Sequence, residues 1–140
     1  MRDRRERRRR IEELRAVPLI STCTNSELAQ IDHLGVQIRV GAGTTLTREG
    51  RRERQCFVVL DGMAEAQRDH DTIGTIGTGS VAGELALLDQ TSRTATVVAC
   101  TGMRLLVLTD REFDELLNIS PTVEAGVRLI ADERRAALTA

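Results

Sequence analysis

Gly83-Glu84-Leu85-Ala86-Leu87-Leu88 stands four residues ahead of Arg93-Thr94-Ala95-Thr96-Val97, and this pair of segments holds the residue types and spacing that fit a defined chemistry. A glycine opening a short apolar turn of helix lets backbone N–H groups come close to an anion, and the helix start adds partial positive charge. Arg93 then offers a planar fork of donors suited to phosphate oxygens. Glu84 would repel a bare phosphate from that helix start. It fits only if its carboxylate accepts hydrogen bonds from hydroxyls one sugar ring away, and a ribose phosphate meets both demands. Singly, Arg93 reads as a surface arginine opening a strand and Glu84 as a carboxylate complementing a helix dipole. Their joint spacing is what points to a ligand.

Elements able to position these residues follow from the hydrophobic period. Residues 1–17 can run as a helix, with Ile11 and Leu14 three apart and Pro18 as its stop. Thr24 and Glu27 form a capping box for a second helix carrying Leu28, Ile31 and Leu34 as far as Gly35. From Val36 the period becomes two: Val36, Ile38 and Val40 alternate with Gln37 and Arg39. Gln55–Leu60 reads as a buried strand, Asp61-Gly62 as a hairpin turn, and Met63–Arg68 as its returning partner. Asp69-His70-Asp71 makes a looser turn before Thr72–Ile76. Arg93–Ala99 and Met103–Leu108 are two further strands, parted by Thr101-Gly102. Thr109 and Glu112 cap a helix with Phe113, Leu116 and Leu117 on its apolar face. Ser120-Pro121 starts a last helix whose Val123, Val127 and Ile130 face the sheet. Gly126 weakens that helix by about 1 kcal/mol relative to alanine, through softness or to permit close packing. Many short strands between helical ends predict an α+β fold built on an antiparallel jelly roll.

With 140 residues, 41% hydrophobic and 29% charged, the chain suits one domain with a core that needs no disulfide or metal. Cys23, Cys56 and Cys100 are odd in number and far apart, so buried free thiols are expected rather than a disulfide framework or a close-spaced metal motif. His33 and His70 are isolated, which argues against a metal-binding jelly-roll enzyme. The 20 basic residues are all arginine, and seven lie in the first ten positions. Set against Asp3 and Glu6, those seven give the first ten residues +5 and leave −6 for the rest of a chain whose net charge is −1. No apolar run matches a membrane span or secretory leader, so a cytoplasmic protein is expected.

Gly83, Glu84, Ala86, Leu87, Leu88, Arg93, Thr94, Ala95, Thr96 and Val97 fall without a gap on the phosphate-binding cassette of cyclic nucleotide-binding domains. The chain resembles those of bacterial cAMP receptor proteins, cyclic-nucleotide-dependent kinases and gated channels. Gly43-Thr44-Thr45-Leu46-Thr47-Arg48-Glu49-Gly50, Phe57-Val58-Val59-Leu60-Asp61-Gly62 and Leu106–Phe113 are similar to the flanking strands, so the likeness covers roughly residues 14 to 138. It departs from the family at Val81-Ala82, where a bulkier pair is usual, and at Arg51-Arg52-Glu53-Arg54, read as a solvated loop.

The resemblance implies ligand contacts from Gly83, Glu84, Leu85, Ala86, Arg93 and Thr94: the Leu85 and Ala86 N–H groups and Arg93 on phosphate, Glu84 on ribose. Leu87 and Leu88 anchor the turn in the core. Thr94 permits cGMP without requiring it, and cAMP is the ligand expected; no cofactor or metal is expected. The chain is expected to be a sensor and not an enzyme, with residues 1–13 as an arginine-rich extension and 14–140 as the binding domain. Its terminal helix, Val123–Arg135, would act as a lid relaying occupancy to a second copy or an effector protein. No room for a helix-turn-helix follows that helix, so sequence-specific DNA binding is not expected. The arginine arm is expected to be solvated or partly disordered and to make only non-specific contacts with nucleic acid or anionic lipid. The alternative is a structural jelly roll that has lost its ligand.

Overall fold

The computed structural model describes residues 3–138. Asp3 caps helix α1 (Arg4–Arg15), a 3-10 turn follows at Pro18–Ile20, and the Thr24–Glu27 capping box starts α2 (Asn25–Leu34) with both of its hydrogen bonds made. The strands are β1 (Val36–Val40), β2 (Thr45–Thr47), β3 (Gln55–Asp61), β4 (Met63–Arg68), β5 (Asp71–Gly77) and β6 (Val81–Ala82). Helix α3 (Glu84–Asp89) then leads to β7 (Thr96–Ala99) and β8 (Met103–Thr109), and α4 (Asp110–Ile119) and α5 (Pro121–Leu138) end the described chain. The eight strands form two antiparallel sheets, ordered β1-β8-β3-β6 and β2-β7-β4-β5, stacked as a jelly-roll sandwich with helices outside the first sheet. Among the described residues no helix is long and apolar enough to cross a membrane.

Two apolar layers hold this together, and β3 belongs to both. Its continuous run is buried on each face, as a strand covered on both sides requires: Cys56, Val58 and Leu60 face the helices, while Phe57 and Val59 face the second sheet. The helical layer collects Leu14, Ile20, Leu28, Ile31, Phe113, Leu116, Val123 and Val127, with Leu87 and Leu88 packed at its rim. Phe113, Leu116 and Leu117 are buried as the period of α4 demands. On α5 the fully buried third position is Ala131 and not Ile130, which is only partly covered.

The Asp61-Gly62 turn corrects an expectation. It does not close a hairpin: β3 pairs with β6 and β8, whereas β4 pairs with β5 and β7, so the chain changes sheet at this corner. Gly62 has φ +112°, and a Cβ there would lie 2.7 Å from the Gly102 carbonyl oxygen, so backbone crowding from the facing loop selects glycine. The paired hairpin comes next, between β4 and β5. Asp69 and His70, at φ 51° and 71°, give it two left-handed residues, matching the right-handed strand twist.

Three other expectations change. The strand expected from Arg93 starts at Thr96, leaving Arg93–Ala95 as a loop. Cys23 and Cys56 are buried, but Cys100 is exposed in the turn after β7. The arginine arm is helical from Arg4 and is tied down: Arg10 Nε donates to the buried Asp32 at 2.9 Å, and Arg104 Nη1 donates to Glu13 at 2.8 Å. Gly126 serves close packing, since an added Cβ would come 2.9 Å from Leu19 of the 3-10 turn.

Candidate functional site

Between α3, the second sheet and the end of α5 lies a cavity of about 210 Å³, and Gly83, Glu84, Leu85, Ala86, Arg93 and Thr94 all line it. The short β6 pairs with β3 through Phe57 and Val58 and delivers the chain to Gly83. Gly83 turns at φ +87°, and a Cβ on it would sit 2.6 Å from Arg93 Nη1. Only glycine lets the guanidinium lie flat against this turn. Arg93 is 3% exposed; Nη1 donates to the Gly83 carbonyl at 3.0 Å and Nη2 to the Gln55 carbonyl at 2.5 Å. Among the described residues its buried Nε–H has no partner and no carboxylate forms an ion pair with it. Burial pulls the Arg93 pKa down, while Glu53, Cys56 and Glu84 push it back up.

The backbone of Arg93 is clamped as well. Its N–H donates to the Arg51 carbonyl at 2.8 Å, and its carbonyl accepts from Gly50 N–H at 2.8 Å. The loop read as merely solvated therefore fixes the arginine, through main-chain groups that carry no mark in the sequence. Thr47 Oγ1, donating to the Ala95 carbonyl at 2.9 Å, holds the next turn.

Glu84 is 1% exposed, and both of its oxygens accept from Arg134 Nη1 on α5, at 2.6 and 2.7 Å. Arg134 Nη2 also donates to Ser80 Oγ at 3.3 Å. The next residue, Arg135, reaches Asp89 at the end of α3. Sequence reasoning missed Arg134, although it continues the buried stripe Val123, Val127, Ala131 at helical spacing: an arginine there is a cation pointed at the site. Apolar residues also line the cavity, Ala66, Ile73, Ile76 and Val97 from the second sheet side and Ala137 and Leu138 from α5. The cavity thus combines a guanidinium, the first turn of a helix, a carboxylate and apolar side chains in one lining. Among the described residues no cluster of His, Cys, Asp and Glu is placed to hold a metal ion.

Residues 37–120 match the sequence model of the cyclic nucleotide-binding domain. The chain belongs to this family. As a cyclic nucleotide-binding domain it is 34% identical over 121 residues to a cyclic nucleotide-gated potassium channel of Rhizobium etli, covering 86% of this chain and 34% of the channel. It is 37% identical over 81 residues to a cGMP-dependent protein kinase of Caenorhabditis briggsae, covering 58% of this chain and 11% of the kinase. The chain therefore spans about a third of the first relative and a small part of the second. Its fold superposes on the second cyclic nucleotide-binding domain of a protein kinase A regulatory subunit carrying Sp-2Cl-cAMPS, at TM-score 0.84 and 24% identity, over 96% of this chain and 90% of that one.

Proposed function

We propose that the protein is a cytoplasmic cyclic nucleotide sensor in which residues 14–140 form the binding unit, residues 1–13 are an extension of it, and cAMP is the preferred ligand. The observation that carries this reading is the buried guanidinium of Arg93, which lines the cavity with only carbonyl partners and an Nε–H that has none among the described residues. A buried cation without an anion is costly, and a phosphate supplies the missing charge together with acceptors for the fork. The N–H groups of Leu85 and Ala86, in the first turn of α3 and without intrahelical partners, aim at the same oxygens. Glu84 keeps lone pairs free beside its Arg134 contacts and accepts from the ribose 2′-hydroxyl. The base lies along the apolar wall under Leu138, and Thr94 is the polar group available to its edge.

Occupancy reaches α5 through Glu84. A ribose hydroxyl on this carboxylate redistributes the charge that Arg134 holds, so the position of α5 and the affinity of the pocket depend on one another. Neither arrangement calls for bond making, and the role is regulatory, with a second copy or an effector protein reading α5. Titration calorimetry with cAMP and cGMP side by side tests the proposal. Saturable binding with tighter cAMP is expected; equal affinities would overturn the base preference, and no heat with either ligand would favour a jelly roll that keeps its scaffold without the ligand.

A further inference from the structure

A second charged surface lies away from the cavity. At 3.6 residues per turn, Arg4, Arg5, Arg8 and Arg9 of α1 fall within an arc of about 140° on its solvent side, and all four are exposed. Beside them, Arg39 of β1 stands directly across from Arg104 of β8, two like charges in register, an arrangement that disfavours pairing unless another group compensates. Glu13 compensates Arg104, but none of Arg4, Arg5, Arg8, Arg9 and Arg39 forms an ion pair among the described residues. Arg9, Arg10, Arg39 and Arg104 converge on a cleft of about 470 Å³ together with Glu6, Glu13, Ile38 and Gln37, whose buried Nε2 lacks an acceptor among the described residues. Glu12 is the one carboxylate within the helix arc.

We propose that this face binds the phosphate backbone of nucleic acid, independently of the nucleotide pocket. Three observations select that partner. The charges are guanidinium without exception, the group that forks onto phosphate. Four of them are held on the first turns of a 12-residue helix, within about 7.5 Å along its axis, the length of about two base pairs, and Arg39 of β1 extends the patch. The helix is also anchored through Leu14 and the Arg10–Asp32 pair, so little ordering entropy opposes contact. A membrane surface fits less well. A helix lying in a bilayer interface needs a free apolar face, but Leu14 and Ile11 of α1 are turned into the core. Of the exposed apolar residues of β1, Val36 lies outside the cleft and Ile38 is a single apolar side chain in its lining, too little surface to enter a bilayer. With no exposed aromatic on α1 or β1 to stack on bases, the grip is on the backbone and blind to sequence.

The test is fluorescence anisotropy of the full chain with a labelled 20-base-pair DNA duplex between 50 and 200 mM salt, alongside vesicles of phosphatidylcholine with 30% phosphatidylserine. Binding to duplex is expected, with log K falling against log salt at a slope of about −4 for four to five phosphate contacts, a loss of about 250-fold across that range. The triple variant Arg5→Gln/Arg9→Gln/Arg39→Gln should flatten the slope by about 2.7, and Glu12→Arg should tighten binding and steepen the slope by about 0.9. All three positions of the triple variant are exposed and outside the cavity, so it should melt with the parent and keep its cyclic nucleotide affinity. No duplex binding at 50 mM salt, an unchanged slope in both variants, or retention by the vesicles in preference to DNA would each overturn the proposal.

Discussion

At the scale of single residues the site rests on Arg93 and Glu84, two charges held almost without water. Arg93→Ala should cost about 2–5 kcal/mol of cyclic nucleotide affinity, or about 30- to several-thousand-fold in Kd, because a desolvated phosphate loses its fork. Displacement of a fluorescent nucleotide with parental Kd would refute the assignment. The thiols give a second prediction. Burial pushes the Cys56 thiol up, Glu84 adds to that, and Arg93 opposes it. The folded state thus keeps a proton that the unfolded chain releases above about pH 8.5, so stability falls as pH rises past that value, by up to about 1.4 kcal/mol per unit. Native protein at pH 8 should take up a thiol reagent at Cys100 alone, and urea midpoints should drop between pH 8.5 and 10 with a slope that Cys56→Ala reduces. Cys56 labelling as fast as Cys100 would contradict this.

At the scale of elements, α5 carries both the missed residue and the signal. Ligand should slow hydrogen exchange in Gly83–Leu88 and also along Val123–Arg135, and both effects should vanish in Arg93→Ala at the same nucleotide concentration. Arg134→Ala should uncouple them, leaving the cassette protected by ligand and α5 unchanged; protection of α5 persisting in that variant would rule out the Glu84–Arg134 link. Devices confined to a few neighbours were legible in the sequence: both capping boxes and the apolar face of α4 appear as their spacing demands, and β1 spans the residues its period marks, although Val36 and Ile38 stay exposed because no described element covers that edge strand there. The six candidate residues also come together, among the others that line one cavity. What was not legible depends on distant backbone. Asp61-Gly62 has the chemistry of a hairpin turn, but the strands it joins pair with partners far along the chain in different sheets, which makes it a corner. The carbonyls of Gln55 and Gly83 that seat Arg93 are equally silent, because any residue type supplies one.

At the scale of the whole molecule, the arm belongs to the folded body as far as its anchors reach. Arg10→Ala removes one partner of the buried Asp32 and should lower stability by about 1–3 kcal/mol, less than the roughly 3–5 kcal/mol of a fully buried pair because Arg10 keeps 19% of its side chain in water. Deleting residues 1–10 should lower the melting temperature at least as much, without altering cyclic nucleotide affinity; a truncated chain melting with the parent would show α1 to be dispensable. The composition of α1 has a further consequence. A lysine-rich helix can be silenced by acetylation, but this chain has no lysine side chain to acylate, and a guanidinium stays charged at any pH the fold survives. The positive face of α1 is therefore a permanent fixture, and any switching of what it holds must come from competing anions, from salt, or from phosphate groups added to the partner.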